Sequence, residues 1–206
     1  MKRIIFSVTC VIMLASCSTN IKKVLILSRG KATVDLEEKT INVDASTGHE
    51  EQTIEFNTAE KVSLKVKSQA GEATIEIPEN GFYVINLKAD TTLGSYQNYG
   101  SVEGRKTSFT QEDVKQQLDS LKQFVANQNV STAKRNFYLL PNTGVKITDN
   151  LDAFVVGPYH QMTSLAKEEG KTPEVYRFYS IKEVREKIEK AEALTGAKKA
   201  EEEKKK

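Results

Sequence analysis

Tryptophan is absent from the chain, proline occurs four times, and histidine and cysteine twice each. Both cysteines, Cys10 and Cys17, lie near the start, so the rest of the chain has neither disulfide nor thiolate chemistry. A zinc site needs several thiolates or imidazoles at tight spacing. His49, in "STGHEE", and His160, after Gly157-Pro158-Tyr159, have no second His or Cys beside them. Each therefore reads as an ordinary surface or partly buried imidazole, and no metal is expected. Missing too are the Walker loop, the dinucleotide fingerprint, the EF-hand loop and the G-x-S-x-G nucleophile elbow. The S-x-x-K pattern occurs at Ser28 and Lys31, at Ser131 and Lys134 and at Ser164 and Lys167, without its S-D-N and K-T-G companions. An excess of charge of one sign is also lacking, with 30 Lys and Arg against 28 Asp and Glu. That balance removes the main argument for a nucleic-acid partner, which would need a basic surface.

What is present begins with Lys2 and Arg3, followed by an apolar stretch from Ile4 to Ser16. The stretch is too short to cross a hydrocarbon core of about 30 Å, which takes roughly 20 apolar residues. A charged start and a short apolar run read as a secretory signal. This one ends in Leu14-Ala15-Ser16-Cys17, which resembles the lipobox of bacterial lipoproteins. The resemblance implies cleavage after residue 16, diacylglycerol on the Cys17 thiol and an acyl chain on the new amine. Two or three acyl chains anchor durably where one holds only marginally. Loss of Lys2 and Arg3 leaves 28 residues of each sign, a formally neutral mature chain. In lipoproteins sorted by the residue after the cysteine, Ser18 rather than Asp implies transfer to the outer membrane. No acidic cluster follows Cys17, so the periplasmic face is expected. The covalent lipid on Cys17 is the one attached group expected, with no cofactor besides.

The expected organisation is a tether over residues 17–23, a β-rich lobe over 24–104, an α+β lobe over 105–196 and a charged disordered tail over 197–206. Val24-Leu25-Ile26-Leu27 looks like a buried strand. After it, apolar residues alternate at Ile41 and Val43, at Ile54 and Phe56, at Val62, Leu64 and Val66, at Ala73, Ile75 and Ile77, and at Tyr83, Ile85 and Leu87. Asn80-Gly81 offers the positive φ values of a tight hairpin between the last two runs. The fold class is therefore α+β: an N-terminal antiparallel β-sandwich or small barrel, then a smaller α+β lobe with two capped amphipathic helices. Thr110-Gln111-Glu112-Asp113 opens the first helix with capping-box spacing, and Phe109 and Val114 form its staple. Val114, Leu118, Leu121 and Val125 share its inner face. Short strands are predicted at 136–140, 145–148, 153–156 and 175–179. Ser180-Ile181-Lys182-Glu183 opens the second helix, with Tyr179 and Val184 as the staple pair and Gly196 as its stop.

The stretch "DTTLGSYQNYGSVEGRKTS", residues 90–108, is longer than most loops of a compact domain, and such loops often carry function. Tyr96 and Tyr99 offer flat amphipathic rings, and Gln97, Asn98 and Arg105 offer directional polar contacts, a mixture that suits a sugar or a protein. The competing reading is an interlobe connection whose tyrosines pack under a neighbour. Asp90-Thr91-Thr92 and Asp119-Ser120-Leu121 resemble the Asp-Ser/Thr-apolar acceptor of bacterial O-glycosylation. "FVVGPY" at 154–159 and "VYRFYS" at 175–180 resemble fragments of peptidoglycan-binding SPOR domains. Together these features describe a lipid-anchored, non-enzymatic envelope protein, a scaffold or accessory module with an envelope protein partner. The alternatives are a glycan- or peptidoglycan-binding module using the loop with Tyr96 and Tyr99, and an envelope hydrolase whose site assembles across the fold.

Overall fold

A computed structural model describes residues 20–46, 48–98, 110–158, 160 and 173–203. Within these the protein is mixed α+β, mostly sheet, with two helices and no closed barrel. Twelve strands make three four-stranded sheets. The middle sheet has the order β10-β7-β1-β4, built from β1 (Ile21–Arg29), β4 (His49–Asn57), β7 (Gly81–Asn86) and β10 (Thr143–Thr148). A first outer sheet joins β2 (Ala32–Asp35), β3 (Thr40–Val43), β5 (Val62–Ser68) and β6 (Gly71–Ile77) in that order. The second outer sheet has the order β11-β12-β8-β9, from β8 (Thr92–Gln97), β9 (Asn136–Leu139), β11 (Phe154–Val156) and β12 (Val175–Ser180). The chain returns to the middle sheet after every two outer strands. Two sheets consequently draw strands from both sides of residue 104.

Side-chain alternation explains how the sheets share their cores. Successive residues on a strand point to opposite faces. Val24, Ile26, Ile54, Phe56, Tyr83 and Ile85 of the middle sheet cluster with Ile41, Leu64, Val66 and Ile77 of the first outer sheet. Their neighbours Leu25, Leu27, Phe82 and Val84 cluster instead with Phe137, Leu139, Tyr176 and Phe178 of the second outer sheet. Every residue of β7 is buried, and Val24 to Ser28 of β1 are buried without a break. Strands covered on both faces read as continuous apolar runs, which is why "VLIL" does not alternate. The outer strand β5 does alternate, with Val62, Leu64 and Val66 inside and Ser63, Lys65 and Lys67 in solvent.

Several expectations change. Alongside the antiparallel pairs, β1 pairs with β7, β3 with β5 and β11 with β12 in parallel. The hairpin predicted at Asn80-Gly81 does not form: β6 pairs with β5, and β7 pairs with β1 and β10. Gly81 does adopt a positive φ of 134°, but it steers the chain from the first outer sheet into the middle one. A Cβ there would lie 2.5 Å from Lys146 Cε and 2.9 Å from Thr148 O, so only glycine fits. Residues 21–23, expected in the tether, are part of β1 and pair with β4. Lys22 is fully buried in that strand, and its Nζ donates to Thr58 O at 2.7 Å and Asn80 Oδ1 at 3.1 Å. Those two bonds answer the desolvation a buried ammonium demands.

The helices cover the far side of the second outer sheet. Helix α1 (Gln111–Val125) starts with the capping box at Thr110: Thr110 Oγ1 accepts from Asp113 N, and Asp113 Oδ2 accepts from Thr110 N. Its staple partner Phe109 lies outside the described residues. Helix α2 (Ile181–Glu203) is capped by Ser180, whose Oγ accepts from Glu183 N at 3.1 Å. Leu118, Val184 and Ile188 close a third cluster over Leu93 of β8. The predicted stop at Gly196 is passed, and helix continues to Glu203 through part of the expected disordered tail. An interior glycine costs a helix only about 1 kcal/mol, and the Ala, Lys and Glu that follow are strong helix formers. Neither helix is long and apolar enough to cross a membrane.

Two-faced burial makes a sharp prediction. Ile26→Ala and Leu27→Ala, adjacent but on opposite faces, should each lower unfolding stability by about 2–5 kcal/mol in urea titrations. If either change stayed within about 0.5 kcal/mol, the ordinary range for exposed sites, one face of β1 would be solvated.

Candidate functional site

A cleft of about 1190 Å³ opens between the two helices and the second outer sheet. Its strand side presents Ser95 and Gln97 from β8, Asn136 from β9 and Tyr179 from β12. Helix α1 contributes Gln116, Gln117 and Ser120 above an apolar base of Leu121 and Phe124, and Asn129 closes the end of that helix. Val184 and Lys187 form the α2 wall. Five of the thirteen described lining side chains are amides, each able to donate and accept at once, and more of the lining surface is apolar than polar.

Several of these groups are held in place. Gln97 Nε2 donates to Ser95 Oγ at 2.8 Å, which fixes its amide plane. Asn129 Nδ2 donates to Gln123 Oε1 at 3.2 Å, and its Oδ1 accepts from Lys134 Nζ. The two charged lining groups are engaged. Asp113 serves the α1 cap. Lys187 Nζ stands 4.1 Å from the Tyr179 ring centroid and 3.8 Å from Glu183 Oε1. Burial lowers the Lys187 pKa, Glu183 opposes the shift, and Arg177 adds to it. Lys122 and Glu192 tie the helices together at 2.6 Å across their exposed edge.

The residues singled out in the sequence separate here. Gln97 faces the cleft and Asn98 is exposed beyond it, whereas Tyr96 points to the opposite face of β8. Its ring meets Tyr176 edge-on at 5.8 Å and lies beneath the Arg135 guanidinium at 4.0 Å. Arg135 in turn pairs with Glu174 and donates from Nε to the Tyr176 hydroxyl at 3.1 Å. Tyr99 and Arg105 lie outside the described residues, as does Cys17. Of the acceptor-like triplets, Thr92 is fully buried, Thr91 accepts a backbone bond from Ile181, and Ser120 Oγ donates to Gln116 O in α1.

Sequence reading missed a second polar cluster, because its members are dispersed along the chain. His160 Nδ1 lies 2.8 Å from Glu51 Oε1, and His49 lies within the field of both His160 and Lys88. Lys88 is 3% exposed and faces Asp90 at 3.5 Å, with Glu183 and Glu51 nearby. Burial lowers its pKa, and those three carboxylates oppose the shift. Gly157 makes room for Glu51, since a Cβ there would sit 1.6 Å from Oε1. Among the described residues no group of three His, Cys, Asp or Glu is arranged to hold a metal ion.

No protein-family model matches this chain, no curated protein matches it, and no solved structure matches it. The reading of the site therefore rests on its own geometry.

Behind the cleft, Tyr176 joins the second outer sheet to the middle sheet. Burial pushes its pKa up to about 12, aided by the hydrogen bond to Glu174 and that carboxylate's charge, while Arg135 works the other way. Its folded pKa lies above the unfolded value of 10.0, so its contribution to stability is complete below that pH and is lost on rising towards 12. A difference titration of tyrosinate absorbance between the native protein and Tyr176→Phe should show one late-ionising group near pH 12. The Phe variant should also lose stability less steeply between those limits. Ionisation of Tyr176 near pH 10 would contradict the assignment.

Proposed function

We propose that the protein is a lipid-anchored, non-enzymatic module of the cell envelope that holds its ligand in the cleft between α1, α2 and the second outer sheet. The observation that carries this reading is the lining itself, where amides and hydroxyls from the strand and helix walls stand among apolar side chains. Among the described lining residues neither an imidazole nor a thiol stands beside Ser95 or Ser120, which favours binding over acyl transfer. With that reading goes a β-sandwich formed by the middle and first outer sheets, which serves as the rigid body.

The anchor rests on Cys17 and the signal-like segment before it. Because β1 begins at Ile21, only Ser18, Thr19 and Asn20 separate it from the lipidated cysteine. Four residue steps reach at most about 14 Å. A body held that close to the bilayer meets envelope components within a narrow range of heights. Ser18 favours the outer membrane, and the lack of an acidic cluster after Cys17 favours its periplasmic face.

One set of variants tests both halves. Cys17→Ala should abolish fatty-acid labelling in cells and empty the membrane fraction, and persistent labelling would reject the anchor. Purified protein in detergent should pellet with delipidated envelopes. Gln116→Trp with Ser120→Trp, which fill the cleft, should weaken pelleting at least about tenfold, the equivalent of 1.4 kcal/mol. Ser63→Trp on the solvent face of β5 should leave it unchanged. Equal pelleting of the filled and native proteins would remove the cleft from the account.

A further inference from the structure

We propose that the cleft takes a neutral oligosaccharide chain. This rests on reading the cleft as the binding site and names the chemistry of its ligand.

Size comes first. At about 1190 Å³ the cleft exceeds the roughly 300–1,000 Å³ of ordinary small-molecule pockets, so it suits a chain of several units rather than one small molecule.

Charge comes next. The described lining residues include one carboxylate and one ammonium. Asp113 Oδ2 already accepts from the Thr110 backbone N–H and hydroxyl, and Lys187 lies over Tyr179 beside Glu183. A site for a polyanion or a polycation would present an unbalanced row of one sign, and this cleft does not.

The strand wall argues against an extended peptide. Peptides that add to a sheet need a free edge. Of the strands lining the cleft, β8 is paired on both sides by β12 and β9, and β12 by β11 and β8, while the edge strand β9 lends the lining only Asn136. A helical peptide would need a continuous apolar groove. Here Leu121, Phe124 and Val184 line the cleft among Gln97, Gln116, Gln117 and Ser120, so polar side chains interrupt its apolar surface.

What these amides match is a ligand whose groups also donate and accept together. A sugar hydroxyl does both, and so does an acetamido group. Gln97, held by Ser95, and Gln116 and Gln117 on the facing helix would bracket such a chain from two sides. Phe124 and Tyr179 supply the apolar contact for its C–H faces. Lacking tryptophan, the site would bind with modest affinity, set mainly by its hydrogen bonds.

The test is calorimetric titration of the full chain in detergent with two neutral β-1,4 tetrasaccharides, one of N-acetylglucosamine and one of glucose. Heparin serves as a polyanion and a polar decapeptide as a peptide control. At least one neutral tetrasaccharide should bind, and the two arms show whether the acetamido group is required. Binding should be nearly the same at 50 and 500 mM salt, because no net charge is screened. Gln97→Ala with Gln116→Ala should weaken it about tenfold or more while the thermal midpoint stays in place. Binding of heparin or the peptide alone, or of neither sugar, would overturn the proposal. If filling the cleft abolishes envelope pelleting while neither sugar competes, the sugar class fails and the cleft stands. If the filled variant pellets like the native protein, the cleft itself fails.

Discussion

The parallel pairing of β1 with β7, each covered on both faces, constrains the rest of the structure. A strand without a solvent face needs two covering layers, and the chain supplies one from residues before it turns at Gly81 and the other from residues after. Each return to the middle sheet carries the connection across a layer, so corners link the sheets, while hairpins join β2 to β3 and β5 to β6 within the first outer sheet. Lys22 shows how tightly the arrangement is specified, since its buried ammonium is met by groups from two separate corners, Thr58 and Asn80. A slip of one residue in β1 would exchange the two core clusters and strand that charge.

From this constraint the position of the cleft follows. The second outer sheet turns one face to the middle sheet, where Tyr96, Phe137, Tyr176 and Phe178 pack, and the other to the helices. Period two then divides β8 between two tasks: Tyr96 locks the sheet through Arg135, and Gln97 faces the opening. The cleft is consequently backed by a packed aromatic layer in which Tyr176 and Phe178 are fully buried. Side chains on such a wall are held close to one geometry, which would reduce the ordering lost if the proposed ligand docks there.

How much of this could be read from the chain depended on solvent. The alternation of Val62, Leu64 and Val66 was visible because β5 has one wet face, and the caps at Thr110 and Ser180 were visible because they are local. The middle strands hid their two-sidedness in short apolar runs, which look alike in any fully buried strand. Asn80-Gly81 announced a turn truthfully, but which strand follows it as a neighbour is decided by long-range packing. Gln97 was found beside aromatic residues, whereas Gln116, Gln117 and Ser120 resembled the plain solvated face of a helix. Nothing in the spacing of His49, Glu51, Lys88 and His160 could announce that they meet.

Central to this account is that the sheets before and after residue 104 unfold as one body because they share the middle sheet. Native-state hydrogen exchange read strand by strand tests this most directly. The account predicts that amides of β1, β4 and β7 and those of β9, β10 and β12 open with the same highest free energy. Two separate plateaus, with β9, β10 and β12 opening while β1, β4 and β7 stay protected, would contradict it.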